Sequence, residues 1–138
     1  MPNPPKPAAS PNPNAPVVLI VEDDPDIRAM LVKALAPKYA VYQAADGLEA
    51  ERLLPQLPAL AALICDVTMP RMSGLDLVRR LREDNALTHV PVLFLTARTG
   101  VRDVISGINL GARHYVTKPF KLADVVAKVD SMVAKSRA

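Results

Sequence analysis

The chain has 138 residues, half of them apolar, a single cysteine and a formal net charge of +3. That length gives room for one domain whose core needs no metal or disulfide staple, and a lone cysteine excludes an internal disulfide framework. No apolar run reaches the ~18 residues of a membrane span and no apolar signal core opens the chain, so a soluble cytoplasmic protein without membrane contact is expected.

Residues 1–16 hold seven of the fourteen prolines. Proline lacks an N–H and fixes φ, so this stretch is expected to be a disordered, polyproline-like leader to a domain spanning 17–136. Val17–Val21 is the first short, fully apolar run and reads as a strand covered on both faces. Ile27, Met30, Leu31, Ala34 and Leu35 follow at helical spacing, with Asp24 placed to cap that helix and Pro25 in its first turn, where a missing N–H costs nothing. Ala40–Ala44 is the second strand. Asp46 and Glu49 have capping-box spacing ahead of Ala50, Leu53 and Leu54. Leu63–Val67 is the third strand, Ser73 and Asp76 open the next helix, and Val92–Thr96 is the fourth strand. Val101, Val104, Ile105 and Ile108 make a fourth helical stripe, Tyr115–Thr117 a fifth strand, and Leu122, Val125, Val126, Val129 and Val133 a fifth stripe. Strands alternating with helices in this way predict an α/β fold, a doubly wound parallel sheet of five strands with helices on both faces.

Sheets of this class hold ligands beyond the carboxyl ends of their strands. Glu22, Asp23 and Asp24 follow the first strand, Asp66 ends the third, Thr96 ends the fourth and Lys118 follows the fifth. Asp24 is accounted for as a cap. The remaining carboxylates repel one another unless a cation neutralises them, and oxygen donors of this kind suit Mg²⁺. An ammonium and a hydroxyl beside them could pair with an added phosphoryl group. Phosphoryl transfer asks little more than positioning and charge neutralisation, and a carboxylate is a competent covalent acceptor.

Taken in order, the segments VLIVEDDPDIR, ADG at 45–47, CDVTMPRMSG, LTAR and LGARHYVTKPF resemble the receiver domain of bacterial response regulators over nearly all of residues 17–135. The resemblance implies a flavodoxin-like sheet of order 2-1-3-4-5. It implies that Asp66 takes a phosphoryl group from a histidine kinase or a histidine phosphotransfer protein. Asp23, Asp66 and the backbone carbonyl of Thr68 would ligate Mg²⁺, with Glu22 acting through water. Lys118 would pair with the phosphoryl oxygens, and its bond to Pro119 is expected to be cis. Thr96 and Tyr115 would form the switch that carries the signal to the face of the fourth helix, fifth strand and fifth helix, where a downstream protein is controlled. An aspartyl-phosphate phosphatase needs a second acid two residues after its nucleophile. Thr68 stands there, so a slowly self-dephosphorylating switch is expected rather than an enzyme. The alternative is a receiver-like adaptor that docks partners without phosphorylation, for which an acceptor, a metal-binding acid or the lysine should be missing; none is.

The sequence departs from dimer-forming relatives of this family at Arg113 and His114, where acids are common, while Lys121, Lys128 and Lys135 recur along the fifth helix. Positive charge facing positive charge across a two-fold axis weakens such a dimer. A monomer or a weak phosphorylation-dependent homodimer, with an acidic surface on its protein partner, is therefore expected. Elsewhere the basic residues are scattered and the five aromatics form no stacking run, so no direct nucleic-acid binding is expected. Arg98 and Thr68 occupy positions that, in the family, tune how fast water reaches the phosphoryl group.

Overall fold

Five apolar segments become strands in the computed structural model, which describes residues 5–84, 89–97 and 114–137. They are β1 (Val17–Val21), β2 (Ala40–Ala44), β3 (Leu60–Asp66), β4 (Val92–Ala97) and β5 (His114–Lys118). All neighbours run parallel in the order β2-β1-β3-β4-β5, the flavodoxin-like topology expected. The described helices are α1 (Pro25–Leu35), α2 (Gly47–Leu53), α3 (Gly74–Glu83) and the C-terminal α4 (Leu122–Arg137), with a 3₁₀ turn at Leu54–Gln56. The expected fourth stripe, Val101 to Ile108, lies outside the described residues, as do Arg98 and Arg113.

Each of the first three helices opens on a side-chain cap. Asp24 Oδ1 accepts from the N–H groups of Asp26 and Ile27 at 2.9 and 3.1 Å, Asp46 Oδ1 from Glu49 at 2.8 Å and Ser73 Oγ from Asp76 at 3.1 Å. These bonds satisfy donors that a helix start otherwise leaves orphaned. Because the caps follow parallel strands, they turn the chain at the carboxyl rim of the sheet, where the acids sit.

Alternate strand residues feed two cores. Leu19, Val21, Leu63, Cys65 and Phe94 pack with α2 and α3 on one face; Val18, Ile20, Ile64, Leu93 and Leu95 pack with Leu31 and Leu35 of α1 and Val125, Val129 and Met132 of α4 on the other. Asp130 ties α4 to the α1–β2 turn, accepting from Lys38 Nζ at 2.7 Å and the Tyr39 hydroxyl at 2.5 Å.

Three details differ from the sequence reading. β3 starts at Leu60, three residues early, because Leu60 pairs with Val17 before a register irregularity sets Ala62 opposite Val18. Its alanines have weak strand propensity, and pairing with β1 overrides it. Met30, counted in the first helical stripe, is 47% exposed. The proline-rich leader, expected to be disordered, lies along the β2 edge from residue 5: Ala9 and Val41 form an antiparallel bridge. Its physical reason is that an edge strand offers free N–H and C=O groups to any extended segment.

Candidate functional site

The strand ends bring together the residues that the sequence placed at one rim. Glu22 follows β1 and is fully buried, Asp66 ends β3 and is 4% exposed, and Thr96 in β4 is 2% exposed. Single ligand atoms of Glu22, Asp23 and Asp66 all lie within 4.8 Å of one another. Lys118, at the end of β5, reaches back across the sheet so that its Nζ donates to Glu22 Oε1 at 2.8 Å and to Asp66 Oδ2 at 3.0 Å. The Lys118–Pro119 peptide is cis. Asp66 Oδ1 accepts from the backbone N–H of Thr68 at 3.2 Å.

The electrostatics follow from this crowding. Burial, reinforced by the neighbouring Asp66, raises Glu22 to about 8 even though Lys118 pulls it down. For Lys118 burial favours the neutral amine, but its bonds to Glu22 and Asp66 outweigh that and lift it above the ordinary lysine value, so it stays an ammonium. Glu22 Oε2 is buried with no hydrogen-bond partner. A buried carboxylate oxygen without a donor carries a desolvation cost of roughly 1–3 kcal/mol or more.

That oxygen, the acid cluster and the hard donor set are what a divalent cation relieves, and the residues present fit Mg²⁺. Asp23, exposed at the rim, and Asp66 are the acids of that cluster that would hold such an ion.

The pH consequence has a definite sign. Glu22 binds its proton more tightly in the folded chain than in the unfolded one, so its contribution to stability is fully present below about 4.5 and is lost as pH rises towards about 8. In chelator-treated buffer the melting temperature is expected to fall over that interval. Mg²⁺ should raise it more at pH 8 than at pH 6, and Glu22→Gln should flatten both trends. Thermal scans across pH test this; a Mg²⁺ shift that grows on acidification contradicts it.

Thr96 lies on β4, one strand beyond Asp66, and Tyr115 on β5, one strand further. The Thr96 hydroxyl donates to Ala97 O at a long 3.3 Å. The half-buried Tyr115 ring stacks on Phe94, with centroids 5.8 Å apart and an interplanar angle of 23°. Burial raises the Tyr115 phenol above its ordinary value.

One contributor escaped the sequence reading, and a second was read there without its physical reason. Arg28, in α1, donates from Nη1 to Glu22 O at 2.8 Å and so fixes the backbone at the acid pair; its position about one turn after the Asp24 cap was the available signal. Gly74 was legible as part of a motif but not for its reason: a Cβ there would run into the Asp66 carbonyl oxygen. The loop between them holds Arg71 at φ 71°, a left-handed conformation that costs a non-glycine residue roughly 1–2 kcal/mol. Cys65, one residue before the acceptor candidate, is fully buried. Burial and the adjacent carboxylates of Asp66 and Glu22 push its thiol well up, which keeps it protonated and unreactive.

Comparison with known proteins gives a consistent picture. A family model described as the response regulator receiver domain matches residues 18–130. The chain is similar to the transcriptional regulatory protein TctD of Salmonella typhimurium, with 40% identity over 121 residues, covering 86% of this chain and 52% of that protein. It is also similar to the hybrid signal transduction histidine kinase D of Dictyostelium discoideum, with 36% identity over 126 residues, covering 91% of this chain and 8% of that protein. Among solved structures, the chemotaxis protein CheY4 of Vibrio cholerae superposes with a TM-score of 0.79 at 30% identity, covering 86% of this chain and 98% of that one. The chain spans about half the length, or less, of the curated relatives it matches.

Proposed function

Since this chain belongs to the response regulator receiver domain family, a family of two-component signalling switches rather than classical enzymes, we propose that it is a phosphorylation switch whose acceptor is Asp66. The observation that carries the reading is the Lys118 ammonium held between Asp66 Oδ2 and Glu22 Oε1 at 3.0 and 2.8 Å, with Asp23 beside them. One ammonium beside a cluster of acids is the set of groups that a divalent ion and a phosphoryl group would engage.

The donor is a phosphohistidine on a histidine kinase or a histidine phosphotransfer protein. A carboxylate oxygen of Asp66 attacks phosphorus; the O–P bond forms as the P–N bond breaks, and the electron pair returns to the imidazole nitrogen, which takes a proton from solvent. Bound Mg²⁺ supplies charge neutralisation on the transferring oxygens. Asp23, Asp66 and the Thr68 carbonyl would hold it, with Glu22 reaching it through water. Lys118 pairs with a phosphoryl oxygen in a charge-assisted bond. The Thr96 hydroxyl exchanges its long bond to Ala97 O for a phosphoryl oxygen, and Tyr115 repacks against the space released. An apolar groove of about 400 Å³ beside Lys118, bounded by Ile27, Met30, Pro119 and Phe120, supports docking of the donor next to the acceptor.

The output lies on the β5–α4 face. Exposed Lys121, Asp124 and Lys128 border a shallow cavity of about 550 Å³ there together with Tyr115 and Phe120; the two lysines support an acidic protein partner, and the chain is monomeric or a weak phosphorylation-dependent dimer. No helix among the described residues is long and apolar enough to cross a membrane, and we place the domain in the cytoplasm with its phosphodonor.

Acetyl phosphate replaces the protein donor in the test. With Mg²⁺ the intact mass should rise by one phosphoryl group, and a chelator should suppress the gain. Equal labelling with and without the ion overturns the metal-assisted reading.

A further inference from the structure

We propose that the proline-rich leader is a guard on the β2 edge that stops the sheet from pairing with a second copy of this chain. β2 lies at the end of the strand order, so one side of its backbone faces away from β1. Its sequence, AVYQA, carries neither a charge nor a proline, the devices that ordinarily blunt an exposed edge. The leader supplies the missing protection. Val41 N–H donates to Ala9 O at 2.8 Å, and Val41 O accepts from Ala8 N–H at 2.7 Å and Ala9 N–H at 3.5 Å.

The segment meets β2 through one isolated bridge at Ala9, with a bend at Ala8. Pro5, Pro7 and Ala9 are half-buried while Lys6, Ala8 and Ser10 are exposed, the period-two alternation of a chain lying on a surface. The Tyr42 hydroxyl donates to Pro5 O at a long 3.5 Å. The chain then reverses around the start of β2. Asn12 Oδ1 accepts from Asn14 N–H at 2.8 Å, Ala15 is buried, and Ala40 N–H donates to Pro16 O at 2.9 Å before β1 begins.

The composition explains why this strap ends the sheet instead of extending it. Pro5, Pro7, Pro11 and Pro13 have no N–H and interrupt any regular ladder along the strap, and the exposed Lys6 sets a charge on it, both of which discourage further pairing. The uncovered alternative is specific. A second copy presents the same uncharged β2, and two such edges can meet antiparallel about a two-fold axis. This inference does not depend on Asp66 being phosphorylated.

Two variants test it: deletion of residues 1–14, and the full-length double variant Ala8→Pro/Ala9→Pro, which keeps length but removes both donors to Val41 O. Far-UV circular dichroism and acetyl phosphate labelling confirm that each remains folded. Amide exchange at Val41 should accelerate by at least about tenfold in the truncated chain and by less in the double variant, which keeps the Ala9 carbonyl that accepts from Val41 N–H. The truncated chain should sediment as a concentration-dependent dimer, which Gln43→Lys on the exposed side of β2 reverses by like-charge repulsion. Unchanged exchange at Val41, a truncated chain that keeps the intact chain's oligomeric state, or association insensitive to Gln43→Lys each overturns the proposal.

Discussion

Replacing Lys118 with methionine is expected to lower the unfolding free energy of the metal-free domain by about 2–3 kcal/mol at pH 8, and by clearly less at pH 5. The Lys118 ammonium makes two charge-assisted bonds, to Glu22 at 2.8 Å and Asp66 at 3.0 Å. Its side chain is 26% exposed whereas the Glu22 side chain is fully buried, so the loss falls mainly on the acids left behind rather than on the lysine. Methionine keeps most of the packing of the stem, which isolates the charge. Without the ammonium the paired acids repel each other more strongly and take up protons more readily, so the penalty shrinks as pH falls. Mg²⁺ should recover part of the loss at pH 8, because it neutralises the same two groups. Urea unfolding of wild type and Lys118→Met at the two pH values, with chelator and then with Mg²⁺, reads all of these. A loss equal at both pH values would assign Lys118 a packing role only.

Gly74→Ala is expected to cost about 3 kcal/mol and to slow phosphorylation. The added Cβ would overlap the Asp66 carbonyl oxygen and would approach Cys65 Sγ to 2.8 Å and the Asp66 carbonyl carbon to 3.0 Å. Two of these three atoms are backbone of Asp66, so no side-chain rotation relieves the contact. The start of α3 must retreat from the end of β3, breaking the 2.9 Å bond from Gly74 N–H to Val67 O. Gly47 offers a useful comparison. A Cβ there meets Met72 Sδ at 2.8 Å, the far end of a flexible side chain, and Gly47→Ala should cost much less. Thermal unfolding of the two variants separates the cases; equal, small losses would show that the β3–α3 approach can relax.

Both predictions bear on how far the sequence alone could go. β1 was legible to the residue because it is a short apolar run between Pro16 and Glu22, β2 because its mostly apolar segment lies between two helical patterns, and the Asp24, Asp46 and Ser73 caps follow from local spacing. The rim residues were legible because parallel strands deliver their carboxyl ends to one side. What stayed hidden depends on distance across the fold. The start of β3 at Leu60 is fixed by pairing with Val17 on another strand. The direct bond from Lys118 Nζ to Glu22 Oε1 spans 96 positions; from the sequence, Glu22 was expected to make only a water-mediated contact with metal. The seat of the leader on Val41 is likewise a long-range backbone pairing, and composition speaks only to the leader's own stiffness.

The most direct measurement of the central claim is the intact mass of wild type and Asp66→Asn after incubation with acetyl phosphate and Mg²⁺. Wild type should gain a single phosphoryl group that hydroxylamine removes, as an acyl phosphate requires, while Asp66→Asn should gain none. Equal labelling of the two proteins, or a wild type that stays unlabelled while folded, would contradict the account.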